Sequence, residues 1–168
     1  MSLSPAKRAN RPTSGLLQRE LRQTKPFASL TTEAFLNLVR TTDQLQRTLR
    51  LSLKPYGVTE TQYNSLRILR GAGEHGLTCS EIGERLISQD PDITRLLDRM
   101  EKQGLVHRER DTKDRRVVIT RITRQGLTQL KELDQVVTKT VTALLGHLGE
   151  NELLRMIALL ERVREHSG

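Results

Sequence analysis

Apolar positions fall into two rhythms along the chain, and the switch between them organises its elements. Phe35, Leu38, Leu45, Leu49 and Leu53 recur at helical spacing, with Thr42 keeping the register, after the potential caps Thr31 and Thr32. Lys54-Pro55-Tyr56-Gly57 ends that run, which predicts a long first helix with one apolar stripe. Thr59-x-x-Gln62 has the form of a capping box for a second helix, whose inner face is Tyr63, Leu66 and Leu69 and which stops at the glycines 71, 73 and 76. Thr78-x-x-Glu81 opens a short third helix with Cys79, Ile82 and Leu86 on one side. Asp90 and Pro91 then supply an N-cap and a first-turn proline for a fourth helix, from Pro91 to about Gln103, with Gly104 as its stop. Ile93, Leu96, Leu97 and Met100 make its buried side, and Arg95, Asp98, Arg99 and Lys102 lie opposite.

The period then falls to two. Residues 105–110 and 116–122 read as strands around the polar connection Asp111-Thr112-Lys113-Asp114-Arg115, a β-hairpin with a basic tip. Beyond Thr123 the helical period returns. One stripe holds Leu127, Leu130, Leu133, Val137, Val141, Leu144 and Leu148; after Gly146 and Gly149 a last helix carries Leu153, Leu154, Ile157, Leu160 and Val163.

The predicted fold is mainly α with a small β-hairpin wing. Two short helices joined by Ile87-Ser88-Gln89 and followed at once by a hairpin make a winged helix-turn-helix, whose second helix can enter a major groove while the hairpin reaches phosphates or the minor groove. Arg95 and Arg99 offer bidentate forks for guanine edges or phosphates, and Ser88, Gln89 and Thr94 offer short donors and acceptors. Asp90 and Asp92 oppose an anion there, unless they serve as cap and internal partner or accept from cytosine amino groups.

Charge sharpens this picture. The chain carries 28 basic and 20 acidic side chains, a net +8, which favours a polyanionic partner. Four scattered aromatics (Phe27, Phe35, Tyr56, Tyr63) and no Trp leave no stacking platform for single strands, so duplex DNA leads. Most of the excess sits in residues 1–30, with six basic residues against one acidic; with Pro5, Pro12 and Pro26 this segment reads as a basic, partly disordered arm, a source of extra phosphate contacts or packing. Residues 55–122 are nearly balanced, but residues 93–122 hold nine basic and five acidic groups while residues 55–92 hold three and six. Charge is therefore separated toward the recognition helix and the wing.

Other chemistries find little support. The lone Cys79 excludes an internal disulfide and shares a stripe with Ile82 and Leu86, which favours a core role; the longest apolar run is Met156 to Leu160, and the N-terminus lacks a signal-peptide run. These features predict a cytoplasmic protein without a membrane segment. His75, His107, His147 and His166 have no metal-ligand spacing, and no nucleophile-base pair or phosphate loop stands out, so neither a metal, a cofactor nor catalysis is expected. Taken alone, the face of Arg95, Arg99 and Lys102 fits equally a solvated surface with Asp92–Arg95 and Asp98–Lys102 pairs; the adjoining basic hairpin weighs against that.

At this point the run from Thr59 to Gly126 resembles the MarR family of bacterial transcription regulators. The resemblance is carried by Thr59-x-x-Gln62-Tyr63-x-x-Leu66, Leu77-Thr78-x-Ser80-Glu81-Ile82, the stretch Ile93 to Val106, Arg108, Asp114-Arg115-Arg116 and Ile122-Thr123-x-x-Gly126. It implies a homodimer with 31–54 as its first dimerisation helix, 55–122 as a winged helix-turn-helix DNA-binding region and 123–168 as C-terminal dimerisation helices. The terminal helices carry more apolar stripe than one small domain can cover, which independently argues for a partner. By position, the resemblance puts Ser88, Gln89, Asp92, Thr94, Arg95 and Arg99 in the major-groove set and Lys113, Arg115 and Arg116 in the wing. It implies minor-groove insertion for Arg115 and wing bracing through an ion pair for Asp114. Asp92 departs from the family, which more usually has a small hydroxyl residue there.

The function that follows is a dimeric regulator, by family habit a repressor, that binds a pseudo-palindromic double-stranded DNA operator and is released by a small-molecule or stress signal. The alternative is a winged-helix dimerisation or protein-docking module without intrinsic DNA specificity.

Overall fold

Local sequence signals explain most of the architecture in a computed structural model that describes residues 15–88, 92–112 and 114–166. The chain divides into two compact units, which meet at Leu45 and Gln46 within one long helix.

In the first unit, α1 (Leu16–Glu20) precedes most of α2 (Leu30–Leu53). The described part of the arm carries this short helix, and its Leu17 is only 3 % exposed. Leu16 and Leu17 are the apolar residues of α1, and the Gln18 amide donates to the carbonyls of Gln23 and Lys25, which folds the chain back after it. The arm before residue 15 lies outside the described residues. Helix α2 also starts earlier than Thr31: the Ser29 hydroxyl accepts from the Thr32 amide at 3.0 Å, and the Ser29 carbonyl accepts from the Glu33 amide at 3.1 Å. Ser29 is therefore the cap, and Thr31 and Thr32 occupy the first turn.

The second unit carries the winged domain. A 3-10 turn at Lys54–Tyr56 closes α2, and capping boxes at Thr59 and Thr78 open α3 (Glu60–Ala72) and α4 (Cys79–Arg85) as the sequence predicts. Helix α5 (Ile93–Lys102) begins later than expected. Asp90 and Pro91 lie outside the described residues; the N-cap is Asp92, whose backbone is non-helical and whose Oδ1 accepts from the Arg95 amide at 3.2 Å.

The sheet has three strands rather than the two of a hairpin. β1 (Leu77–Thr78), β2 (Val106–Arg110) and β3 (Val118–Ile122) are antiparallel in the order β1-β3-β2, with Leu77 opposite Thr120 and Val106 opposite Ile122. Two residues are too few to show a period, so β1 is invisible in the pattern. Gly76 makes its approach possible: it has φ +66°, and a Cβ there would lie 2.6 Å from the Thr120 carbonyl oxygen.

One core joins these elements. Leu53, Leu66, Leu69, Ile82, Leu97, Met100, Leu105, Leu130 and Leu133 are fully inaccessible within it. Helix α6 (Arg124–Leu145) is fastened at its start by Thr123, whose hydroxyl donates to the Gly104 carbonyl at 2.6 Å and accepts from the Gly126 amide at 2.9 Å. Gly126 packs so tightly on the Leu105 carbonyl that a Cβ would sit 2.2 Å from its oxygen. Of the long α6 stripe, only Leu130 and Leu133 are fully covered, and α7 (Glu150–Glu165) has no buried residue. Among the described residues, no helix is long and apolar enough to cross a membrane, and no group of three His, Cys, Asp or Glu is placed to hold a metal ion.

Candidate nucleic-acid interface

Helix α5 is amphipathic in both hydrophobicity and charge. Leu96, Leu97 and Met100 fix one side in the core, while Arg95, Arg99 and Lys102 are exposed on the other. The acidic residues of the same helix do not share that exposed face evenly. Asp98 pairs with Arg108 of β2 rather than with Lys102, and Glu101 Oε1 accepts from the Arg108 amide at 2.9 Å. These two contacts lock the wing to α5 and engage both of its carboxylates with Arg108, while Arg95, Arg99 and Lys102 stay on the outward face.

Arg108 is the residue whose role the sequence reading missed. It is 17 % exposed and lies on the same face of β2 as Val106, two residues away. A cation at an inward strand position beside a helix that carries Asp98 and Glu101 was the available signal.

The predicted DNA-contacting residues separate into three groups. Thr94, Arg95 and Arg99 are brought together on the outer face of α5, with Asp92 at its cap and Ser88 exposed at the end of the described turn. Arg115 and Arg116 are exposed in the wing. Gln89 and Lys113 lie outside the described residues. The Asp92–Arg95 pair is formed, with Nε 3.0 Å from Oδ2, and Arg99 Nε donates to the Arg95 carbonyl at 3.2 Å. Thr94 also meets Cys79, with Oγ1 3.7 Å from Sγ, and Cys79 packs against the core.

Asp114 shapes the wing through the backbone. Its Oδ1 accepts from the Arg116 amide at 2.9 Å, its carbonyl accepts from the Val117 amide at 2.9 Å, and its own amide donates to Asp111 Oδ1 at 3.1 Å. The ion pair implied for it is not formed among the described residues. A short carboxylate at this position closes the turn on itself, and that geometry turns Arg115 and Arg116 outward.

Behind the winged domain, α3 and α6 are joined by a charged network. The Tyr63 hydroxyl donates to Asp134 Oδ1 at 2.9 Å, Arg70 pairs with Oδ2, and the Arg67 guanidinium lies 5.9 Å from the Tyr63 ring centroid. Burial and the Asp134 carboxylate push the Tyr63 hydroxyl up to about 12, so it stays a donor across the ordinary pH range. Burial raises the Asp134 carboxyl, but the hydrogen bonds from Arg70 and Tyr63 outweigh it and hold the group below the usual carboxylate range. Tyr63, Arg67, Arg70, Asp134, Val137 and Val141 line an open cavity of about 460 Å³ beside this network.

The same combination of helix pair, recognition helix and wing recurs in known proteins. The MarR family pattern matches residues 58–118. The HTH-type transcriptional repressor MdtR of Bacillus subtilis is 31 % identical over 132 residues, which cover 78 % of this chain and 83 % of MdtR. The crystal structure of a MarR transcription factor from Planctomyces limnophilus is 40 % identical, with a TM-score of 0.64, and the match covers 81 % of this chain and 98 % of that one. An E. coli MarR variant solved in complex with operator DNA shares the fold at 24 % identity, with a TM-score of 0.69 and 89 % and 99 % of the two chains covered. The family pattern runs from just before α3 through α5 and β2 to the first residue of β3, and the similarity to MdtR extends over most of both chains: this chain belongs to the MarR family of winged-helix transcriptional regulators.

Proposed function

We propose that this regulator is a cytoplasmic homodimer that binds pseudo-palindromic double-stranded DNA, represses the adjoining genes and is released by a small-molecule or stress signal. The observation that carries the reading is the exposed basic face of α5, Arg95, Arg99 and Lys102, beside a wing that presents Arg115 and Arg116. Arg95 and Arg99, with Ser88, Gln89, Asp92 and Thr94, belong to the major-groove contact in this reading, and Lys113, Arg115 and Arg116 to the wing contact. Asp114 keeps the wing turned toward the duplex.

Three observations support the remainder. The E. coli MarR variant with the same fold was solved on operator DNA, and MdtR is named as a repressor. Leu154, Ile157 and Val163 of α7 are about half exposed, an apolar display that suits burial against a second copy. The cavity between α3 and α6 offers two guanidinium groups, a hydroxyl and apolar walls, and is where we place the effector.

Selection of bound sequences from a random duplex library tests the reading. A palindromic consensus, with binding that weakens steeply as salt rises, is the expected result. No enrichment, or binding indifferent to salt, would instead favour a winged-helix module for protein docking.

A further inference from the structure

Asp92 presents an acidic group where a DNA-contacting helix begins, an unfavourable placement next to phosphates. Its two carboxylate oxygens both meet Arg95. Oδ1 accepts from the Arg95 amide at 3.2 Å, capping α5, and Oδ2 lies 3.0 Å from Arg95 Nε. The guanidinium is thus held by its inner edge while its side chain remains 82 % exposed. Among the described residues, neither terminal nitrogen of Arg95 is hydrogen-bonded. Arg99, one turn on, is arranged alike, with its Nε tied to the Arg95 carbonyl at 3.2 Å.

We propose that Asp92 is a positioning residue for specificity: it fixes Arg95 so that the Nη1/Nη2 edge is presented to guanine O6 and N7, and it disfavours phosphate binding at the same place. An arginine without this anchor can meet phosphate or base through either edge, because its five N–H donors suit both. Occupying Nε with a carboxylate removes the side-on approach and leaves the end-on fork, which matches the two acceptors of guanine in the major groove. The added negative charge repels a backbone phosphate within a Debye length, about 10 Å at 0.1 M salt, so contacts that do not read sequence lose more than the guanine contact does. The inference rests on the proposed DNA-binding function and assigns to Asp92 a role distinct from direct contact with a base.

The test uses the full-length protein and the duplex it selects from a random library, with 7-deazaguanine replacing each guanine in turn, and a scrambled duplex of equal composition. The parent is expected to lose about fivefold or more in affinity at one guanine of each half-site, a penalty absent from Arg95→Ala. Asp92→Asn keeps a good N-cap, verified by unchanged helical circular dichroism, but lacks the charge that holds Nε. It should show a several-fold smaller 7-deazaguanine penalty and bind the scrambled duplex several-fold more tightly; Asp92→Ser should behave in the same way. If Asp92→Asn and Asp92→Ser keep the parent's penalty and its discrimination against the scrambled duplex, Asp92 does not position Arg95 for readout. A penalty retained in Arg95→Ala overturns the assignment of Arg95 as the reader. A parent that selects no sequence at all overturns the DNA-binding function itself and this role with it.

Discussion

Arg108 and Asp134 show how single charged residues tie elements of the winged domain together. Arg108 spends its amide on Glu101 and its guanidinium on Asp98, so the wing strand is bound to the recognition helix at two points. Arg108→Ala is expected to cost about 1–2 kcal/mol of stability, the Asp98 end of the pair being half-exposed. It should weaken duplex binding several-fold through the loosened wing; urea denaturation and a binding titration check the two effects. For Asp134 the relevant variable is pH. Its carboxyl is depressed in the folded protein, so the folded state binds fewer protons there than the unfolded chain near the ordinary value of about 3.9. The stabilisation from the Tyr63 and Arg70 contacts is therefore present above that value and is lost as pH falls through the folded value. Denaturation midpoints at pH 7 and pH 3 should differ less in Asp134→Asn than in the parent.

Elements differ in how openly the sequence announces them. Helices α3 and α4 begin where Thr59 and Thr78 say they should, because a capping box satisfies two orphan amides by residues only three apart. Thr59→Ala should accordingly cost about 1 kcal/mol in a denaturation experiment. The start of α5 was harder to place, since Asp90 and Asp92 are both good caps and only the backbone at Asp92 selects between them for the described helix. Strand β1 depends on Gly76 and on Thr120 across the sheet, a long-range condition that no local pattern contains. Gly76→Ala meets both a positive φ and a blocked Cβ, and should destabilise the winged domain beyond the effect of an ordinary surface change. The outward placement of Arg95, Arg99, Arg115 and Arg116 was legible because helical period and hairpin position fix which residues face solvent. The partners of Asp98 were not, because a carboxylate four residues before a lysine looks like a helix-surface pair until β2 is folded beside it.

At the scale of the whole molecule, the net charge of +8 is less informative than its disposition. Within the winged domain the acidic groups of α5 are largely turned to the wing or to capping, and the basic ones face solvent. The apolar display of α7, with Leu154 56 % and Ile157 49 % exposed, belongs to the same scale, because a monomer gains nothing from it. Ile157→Glu should shift sedimentation from dimer toward monomer while the winged domain stays folded; an unchanged dimer would place the interface elsewhere. The assignment of α5 and the wing as a paired reading surface rests on comparing Arg95→Ala and Arg115→Ala with the parent on a library-selected duplex, at fixed salt, with the oligomeric state monitored alongside. Each substitution should weaken binding by about 1–3 kcal/mol, roughly 5- to 150-fold, without dissociating the protein's native assembly. Parent-like affinity in both variants would mean that this protein meets its duplex, if it meets one, through some other surface.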